Sequence, residues 1–266
     1  MRRLPCFLAV LFVVALIASS CSSGASTLTA PADADQPLVL VMYGDSLLTF
    51  PEPDRGAIDV YAGMLEEDLG ASVNVEAPMA DYGYPPYVVD DLTSDRTQSI
   101  LAGADVVIVE SPNDSLAFAV LAVSGLEGMD PEVCGGDDHQ QCLTDALAEY
   151  KDSVEEVFLL LTEAVDPSET LIRAVDVYAI AVADQLAAGT LEMTNPYWQE
   201  AQEFFAETAA KYGIPTAQVF DEFMGPHGTD DPQDRGLIAT DKVHPTEAGA
   251  LLIAELIHDL GYDLAN

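Results

Sequence analysis

Short, unbroken apolar runs separated by amphipathic stretches constrain this chain most. Leu38-Val39-Leu40-Val41-Met42 contains no polar residue, nor does Val106-Val107-Ile108-Val109, the centre of a strand expected over 105–109. A strand with one face in water alternates in polarity, whereas a continuous apolar run belongs to a parallel strand covered by helices on both faces. Further strands are expected at 72–75, 171–180 and 215–220. Between them, residues 55–69 place Ile58, Tyr61, Ala62, Leu65 and Leu69 on one helical face, with Gly70 as the stop. Helices are also expected over 144–165, with Tyr150, Val154, Val157, Phe158, Leu161 and Val165 inward, over 196–211 and over 246–260. This alternation predicts an α/β fold: a three-layer α/β/α sandwich around a central, mostly parallel five-stranded sheet. There is no internal repeat, and residues 38–264 read as one domain, with 125–142 as a loop insertion.

The N-terminus has a different character. Arg2 and Arg3 precede an apolar run from Phe7 to Ala18, then Ala18-Ser19-Ser20-Cys21. Twelve apolar residues fall short of the roughly 20 that span a bilayer. A basic start, a short apolar run and small residues before a cleavage point predict an export signal over 1–20. Cys21, just after the small residues, resembles the lipidated cysteine of a bacterial lipobox, the alternative being an ordinary secretory signal. Residues 21–37 then form the lipidated Cys and a flexible tether rich in small, polar and Pro residues. The expected location is extracytoplasmic, on the cell membrane through Cys21, or secreted under the alternative.

Composition removes several function classes. The chain has 46 Asp plus Glu against 9 Lys plus Arg, and two of those arginines lie in the signal. So acidic a surface repels phosphates, which excludes general nucleic-acid binding. With 49% apolar residues, it is also no disordered polyanion. A monomer is expected.

Of four cysteines, Cys6 lies in the signal and Cys21 at the lipid site. Cys134 and Cys142 flank Gly135-Gly136-Asp137-Asp138-His139, a polar loop suited to closure by a disulfide in an oxidising compartment. A metal site on Cys134, His139 and Cys142 is the rival; it lacks CxxC spacing and a second ligand pair. The acidic stretches 129–138 and 228–234 lack the alternating spacing of a calcium loop and read as solvated acid. No cofactor is implied.

In a parallel α/β sheet, ligands bind beyond the carboxyl ends of the strands. After the first strand comes Tyr43-Gly44-Asp45-Ser46, after the third Ser111-Pro112-Asn113-Asp114, and before the last helix Asp241-Lys242-Val243-His244-Pro245. A carboxylate and an imidazole three residues apart in a turn can meet, fixing the tautomer and leaving the other nitrogen to take a proton from Ser46. Each motif alone is as well explained by a turn or a helix cap. Together they supply a nucleophile, a base, an orienting carboxylate and an amide donor for an oxyanion. Asp45 points away from its neighbour and reads as structural. His227 could line the pocket, and His258 reads as a capping or surface residue.

On these residues the sequence resembles the GDSL, or SGNH, family of serine esterases and lipases. Gly44-Asp45-Ser46-Leu47 matches its nucleophile block, Asn113-Asp114 its asparagine block and Asp241-x-x-His244-Pro245 its acid–base block, in the family's order across 38–264. The resemblance implies a flavodoxin-like SGNH-hydrolase fold, with Ser46 as nucleophile, His244 as base and Asp241 as orienter. It implies an oxyanion hole from the Ser46 N–H, the Asn113 amide and a backbone N–H of the second block, for which Gly83 is the available glycine. Ser111 departs from the glycine that usually opens the asparagine block. The implied reaction is hydrolysis of an acyl or acetyl ester of a small molecule, lipid or glycan. Acyl transfer to a glycan or lipid alcohol, and a non-catalytic surface binding lipoprotein, are the alternatives.

Overall fold

The computed structural model describes residues 26–33, 36–50, 56–77, 91–125, 134 and 139–265. The expected export signal over 1–20, Cys21 and Gly83 lie outside them. The sheet has five strands: β1 (Leu38–Tyr43), β2 (Val73–Glu76), β3 (Val106–Glu110), β4 (Leu171–Val175) and β5 (Thr216–Ala217). Their order is β2-β1-β3-β4-β5 and every pairing is parallel. β3 and β4 are buried at every residue, which is what their unbroken runs required.

Among the described residues the helices are α1 (Ser46–Thr49), α2 (Ala57–Leu69), α3 (Asp95–Leu101), α4 (Asp114–Val123), α5 (His139–Ala164), α6 (Val182–Ala188), α7 (Leu191–Lys211), α8 (Val219–Met224) and α9 (Glu247–His258). From β1 the chain steps through α2 to β2 in one direction; from β3 it steps through α4 and α5 to β4 in the other. Right-handed crossovers running in opposite directions put their helices on opposite faces. Accordingly α2 packs with α9, while α5 packs with α4 and α7. None of these helices is long and apolar enough to cross a membrane.

Local signals set several boundaries. Gly70 ends α2 in the left-handed conformation, φ 66°, as its position predicted. The tenth residue expected of β4 is never reached, because β5 offers only Thr216 and Ala217 as partners. The chain leaves the sheet at Asp176, where its neighbours bond elsewhere: Val177 N–H donates to Gln202 Oε1 (3.2 Å) and Asp176 Oδ1 accepts from Phe220 N (2.9 Å). That carboxyl turns residues 219–224 into a helix where a strand was expected. α7 begins five residues before Pro196, because buried Leu191, Thr194 and Asn195 pack its first turns.

The fully buried Arg173 of β4 ties the two ends of the domain together. Its guanidinium donates to the carbonyls of Gly261 (2.7 Å) and Asp263 (3.0 Å). That C-terminal segment holds residues from the stretch expected to be a free tether: Leu28 N–H donates to Tyr262 O and Leu264 N–H to Ser26 O. Ser26 to Leu28 are therefore docked on the domain, with Leu28 buried in the core. Cys134 and Cys142 form a disulfide with Cα atoms 5.5 Å apart. It takes both thiols, and among the described residues no His, Cys, Asp and Glu group could hold a metal.

Burial raises the Asp176 carboxyl to about 8, against the two backbone donors that favour its ionised form. In the unfolded chain it ionises near pH 4. The fold therefore binds an extra proton between those values, and stability falls as pH rises from about 4 through 8. Asp176→Asn keeps the acceptor for Phe220 and cannot ionise. Its urea midpoint should fall less than that of the wild type between pH 5 and 8; equal falls would show that Asp176 carries none of the pH dependence.

Candidate active site

The strand order reverses at β1, so the crevice between β1 and β3 opens at the carboxyl edge of the sheet. Ser46 follows β1 and Asn113 follows β3, one on each side of it. Asp45 is the N-cap of α1, its Oδ1 accepting from Leu47 N at 2.8 Å, and Ser46 is the first helical residue. This agrees with the structural reading of Asp45.

The third part arrives from the C-terminal region. Asp241 Oδ1 accepts from the N–H groups of Val243 and His244, both at 3.0 Å, which curls 241–244 into a tight turn. The other oxygen, Oδ2, meets His244 Nδ1 at 2.8 Å, and His244 Nε2 lies 2.9 Å from Ser46 Oγ. Ser46, His244 and Asp241 thus form one continuous hydrogen-bonded line across 198 residues of chain. Burial works against ionisation of Asp241, but the Val243 N–H, the His244 ring and the His244 N–H outweigh it and hold the carboxyl below its usual range. It is a carboxylate at neutral pH, although its side chain is about half exposed (48%).

The turn is fastened to the segment beyond β4. Tyr178 Oη donates to Val243 O (2.8 Å), Ala181 N–H donates to Lys242 O (2.9 Å), and Lys242 Nζ pairs with Asp184 (2.6 Å). Lys242 and Ala181 are the described non-glycine residues with positive φ, 68° and 52°. The strain of each, of order 1–3 kcal/mol, sits at the contact that aims His244 toward Ser46. Phe50, one turn beyond Ser46 and at the end of α1, stacks on the imidazole with ring centroids 4.1 Å apart.

Asn113 is buried and caps α4 through its backbone, with Ala117 N–H donating to its carbonyl. Its Nδ2 is 3.3 Å from Ser111 O, a long bond that leaves the amide available to a better acceptor. The serine in place of the usual glycine has its own partner: Ser111 Oγ lies 2.7 Å from Tyr150 Oη inside the fold. Asp114, in the first turn of α4, has its carboxyl raised to about 7 by burial and by Asp45.

Two expectations about histidines resolve differently. His227 is exposed, and the described contact of that residue is through its carbonyl, which accepts from Asn195 and Gln199. His258 ends α9 and bonds Asp68 Oδ2 (2.8 Å), which also accepts from Tyr262 Oη (2.7 Å). Among the described hydrogen bonds that second Asp–His pair engages the Tyr262 phenol and no serine, and it lies at the opposite edge of the sheet. Glu110, Phe50 and Lys242 were not anticipated. A lone acid ending the apolar run Val-Val-Ile-Val-Glu was the one available hint for Glu110.

Among solved structures the chain is similar to the lipase Lip_vut3 from a goat rumen metagenome, at 16% identity over 85% of this chain and 98% of that one, TM-score 0.65. It is also similar to the lipase/acylhydrolase from Enterococcus faecalis (11% identity, 84% and 94% covered, TM-score 0.52) and to phospholipase A1 from Streptomyces albidoflavus NA297 (14%, 84% and 99%, 0.52). No protein-family model matches the chain, and no curated protein is matched by sequence. At these identities the likeness is one of fold. With its parallel five-stranded sheet and flanking helices, the chain has the fold of these lipases and acylhydrolases.

Proposed function

We propose that the protein is a serine esterase that hydrolyses carboxylic esters through an acyl-enzyme on Ser46. The observation that carries this reading is the Ser46–His244–Asp241 line, 2.9 and 2.8 Å, at the carboxyl edge of the sheet. The shared fold with solved lipases and acylhydrolases supports it.

The steps follow from the geometry. Ser46 Oγ attacks the ester carbonyl carbon while its proton passes to His244 Nε2. The new imidazolium is stabilised by the Asp241 carboxylate on Nδ1, which also fixes the tautomer that leaves Nε2 free to accept. The carbonyl oxygen becomes an oxyanion facing the Asn113 amide and the Ser46 N–H; the Glu110 and Asp45 carboxyls take the N–H groups on either side of it. His244 returns the proton to the departing alcohol, and water repeats the sequence to release the acid. This chemistry needs no cofactor. Small-molecule, lipid or glycan esters are all candidate substrates, and the protein is read as a monomer.

A chain-length series of aryl esters tests the reaction and the acyl pocket together. Wild-type turnover should be lost by at least about 10³-fold in Ser46→Ala. Turnover of every ester by Ser46→Ala at the wild-type rate would sink the reading. An added alcohol acceptor in the same assay separates hydrolysis from acyl transfer by the ratio of ester product to free acid. No labelling of Ser46 by an organophosphonate, together with no turnover, would favour a non-catalytic binding protein.

The supporting residues have separable signatures. Asn113→Ala should lower kcat by about 10²–10³-fold with KM little changed, as loss of one oxyanion donor does. Asp241→Asn should lower kcat by up to about 10⁴-fold, because the amide can hold His244 in the wrong tautomer. A rise in KM alone for either variant would remove it from the assigned role.

The N-terminal motif is read in the same spirit, as an export signal with Cys21 as the lipid attachment site. Cys21→Ala should then move the protein from the membrane fraction to the soluble fraction, and retention of fatty-acid label by that variant would exclude Cys21.

A further inference from the structure

The nucleophile turn rests on an acid that the reaction as described never uses. Glu110, the last residue of β3, is 4% exposed, and its Oε2 accepts from Asp45 N–H at 2.7 Å. Asp45 Oδ1 in turn accepts from Leu47 N–H at 2.8 Å. The amides on both sides of Ser46 are therefore held by carboxyl oxygens. Gly44 seals the contact from below, because a Cβ at that position would run into Glu110 Oε2 and Glu110 Cβ. This close approach, not a turn conformation, is what requires glycine there.

Resting on the esterase reading above, we infer that Glu110 is a positioning residue for the nucleophile: by accepting the Asp45 N–H inside the fold, it fixes the backbone that presents Ser46 to His244. Glu110 Oε1 is buried without a hydrogen-bond partner, which a neutral acid tolerates far better than a carboxylate does. Burial, then the Asp45 charge, push Glu110 well above the ordinary carboxyl range, and burial raises Asp45 as well. The other groups facing this pair are Asp114 on α4, Tyr178 beyond β4 and His244. None of them is a cation fixed in place to neutralise a second buried carboxylate.

The arrangement also has a chemical logic. Asp45 lies close enough to His244 for their charges to interact. A second full negative charge at Glu110 would make the pair repel, and Asp45 would lose its seat as the cap of α1. Keeping Glu110 protonated gives the turn a rigid support while adding no further charge beside the imidazole.

The test uses the full chain with Glu110→Gln, Glu110→Leu, Asp45→Ala and the double variant Asp45→Ala/Glu110→Leu, on the best aryl ester. Glu110→Leu keeps the volume and removes the acceptor of the Asp45 N–H; its kcat should fall about 10–100-fold with KM within about twofold, since small misplacements of a reacting group cost this much. Glu110→Gln, which keeps a carbonyl acceptor and cannot ionise, should restore most of that loss. In the double variant a further loss should remain beyond that of Asp45→Ala alone, because Ala at position 45 keeps the backbone N–H that Glu110 holds. Unchanged kcat in Glu110→Leu, equal losses in the Leu and Gln variants, or a double variant no worse than Asp45→Ala would each overturn the proposal. Failure of Glu110→Leu to fold leaves the decision to Glu110→Gln and Asp45→Ala: Asp45→Ala must show the kcat loss with KM kept, and Gln must stay near wild type. Should the wild type turn over no ester, the esterase reading fails separately. The positioning claim is then read from a crystal structure of Glu110→Leu, where Ser46 Oγ still within hydrogen-bond distance of His244 Nε2 overturns it.

Discussion

The site depends on how one short turn is fastened. His244 reaches Ser46 because Tyr178 and Ala181, beyond β4, grip the carbonyls of Val243 and Lys242. Without those two bonds the turn would hang from the Lys242–Asp184 ion pair, the isolated bridge between Ile238 and Pro245, and α9. Tyr178 is itself clamped, lying 4.6 Å from the Phe223 ring and nearly parallel to it. The support therefore runs from α8, through a buried aromatic pair, to the carbonyl beside the imidazole. Lys242 accepts a left-handed backbone at that point, and its ion pair with Asp184 offsets part of the cost.

Much of the fold was legible because its strands are buried on both faces. β1 and β3 differ from their expected spans by one residue, since an apolar run has little freedom in where it ends. The helices α3, α4 and α6 were not anticipated. α4, Asp-Ser-Leu-Ala-Phe-Ala-Val-Leu-Ala-Val, is apolar nearly all round, so it offers no polar face from which a helical period can be read. α6 starts from the left-handed Ala181, a start that no capping residue announces. The overlong fourth strand failed for a complementary reason: residues 176–180 are apolar enough for a strand, and only the shortness of β5 and the hydrogen bonds of Asp176 take them out of the sheet.

The site divides along the same line. Ser46, Asn113, Asp241 and His244 were legible because each sits in a local sequence pattern whose chemistry is local too. Glu110, Phe50 and Lys242 were not, because their relation to the site exists only across the sheet or across the crevice. An acid at the end of an apolar strand looks like the point where the strand meets water. Here it is a buried acid, 4% exposed, and its neighbour Gly44 makes sense only once it is placed.

The Arg173 clamp has a geometric consequence for the whole molecule. It gathers Ser26 to Leu28 and the last residues of the chain at the amino edge of the sheet, next to the end of α2, where Asp68 bonds His258 and Tyr262. Ser46 and His244 stand at the carboxyl edge, about one strand length away, or roughly 17–20 Å. Any pull exerted through the chain upstream of Ser26 is thus delivered to the floor of the domain. The crevice is left facing outward, like a cup held by its base.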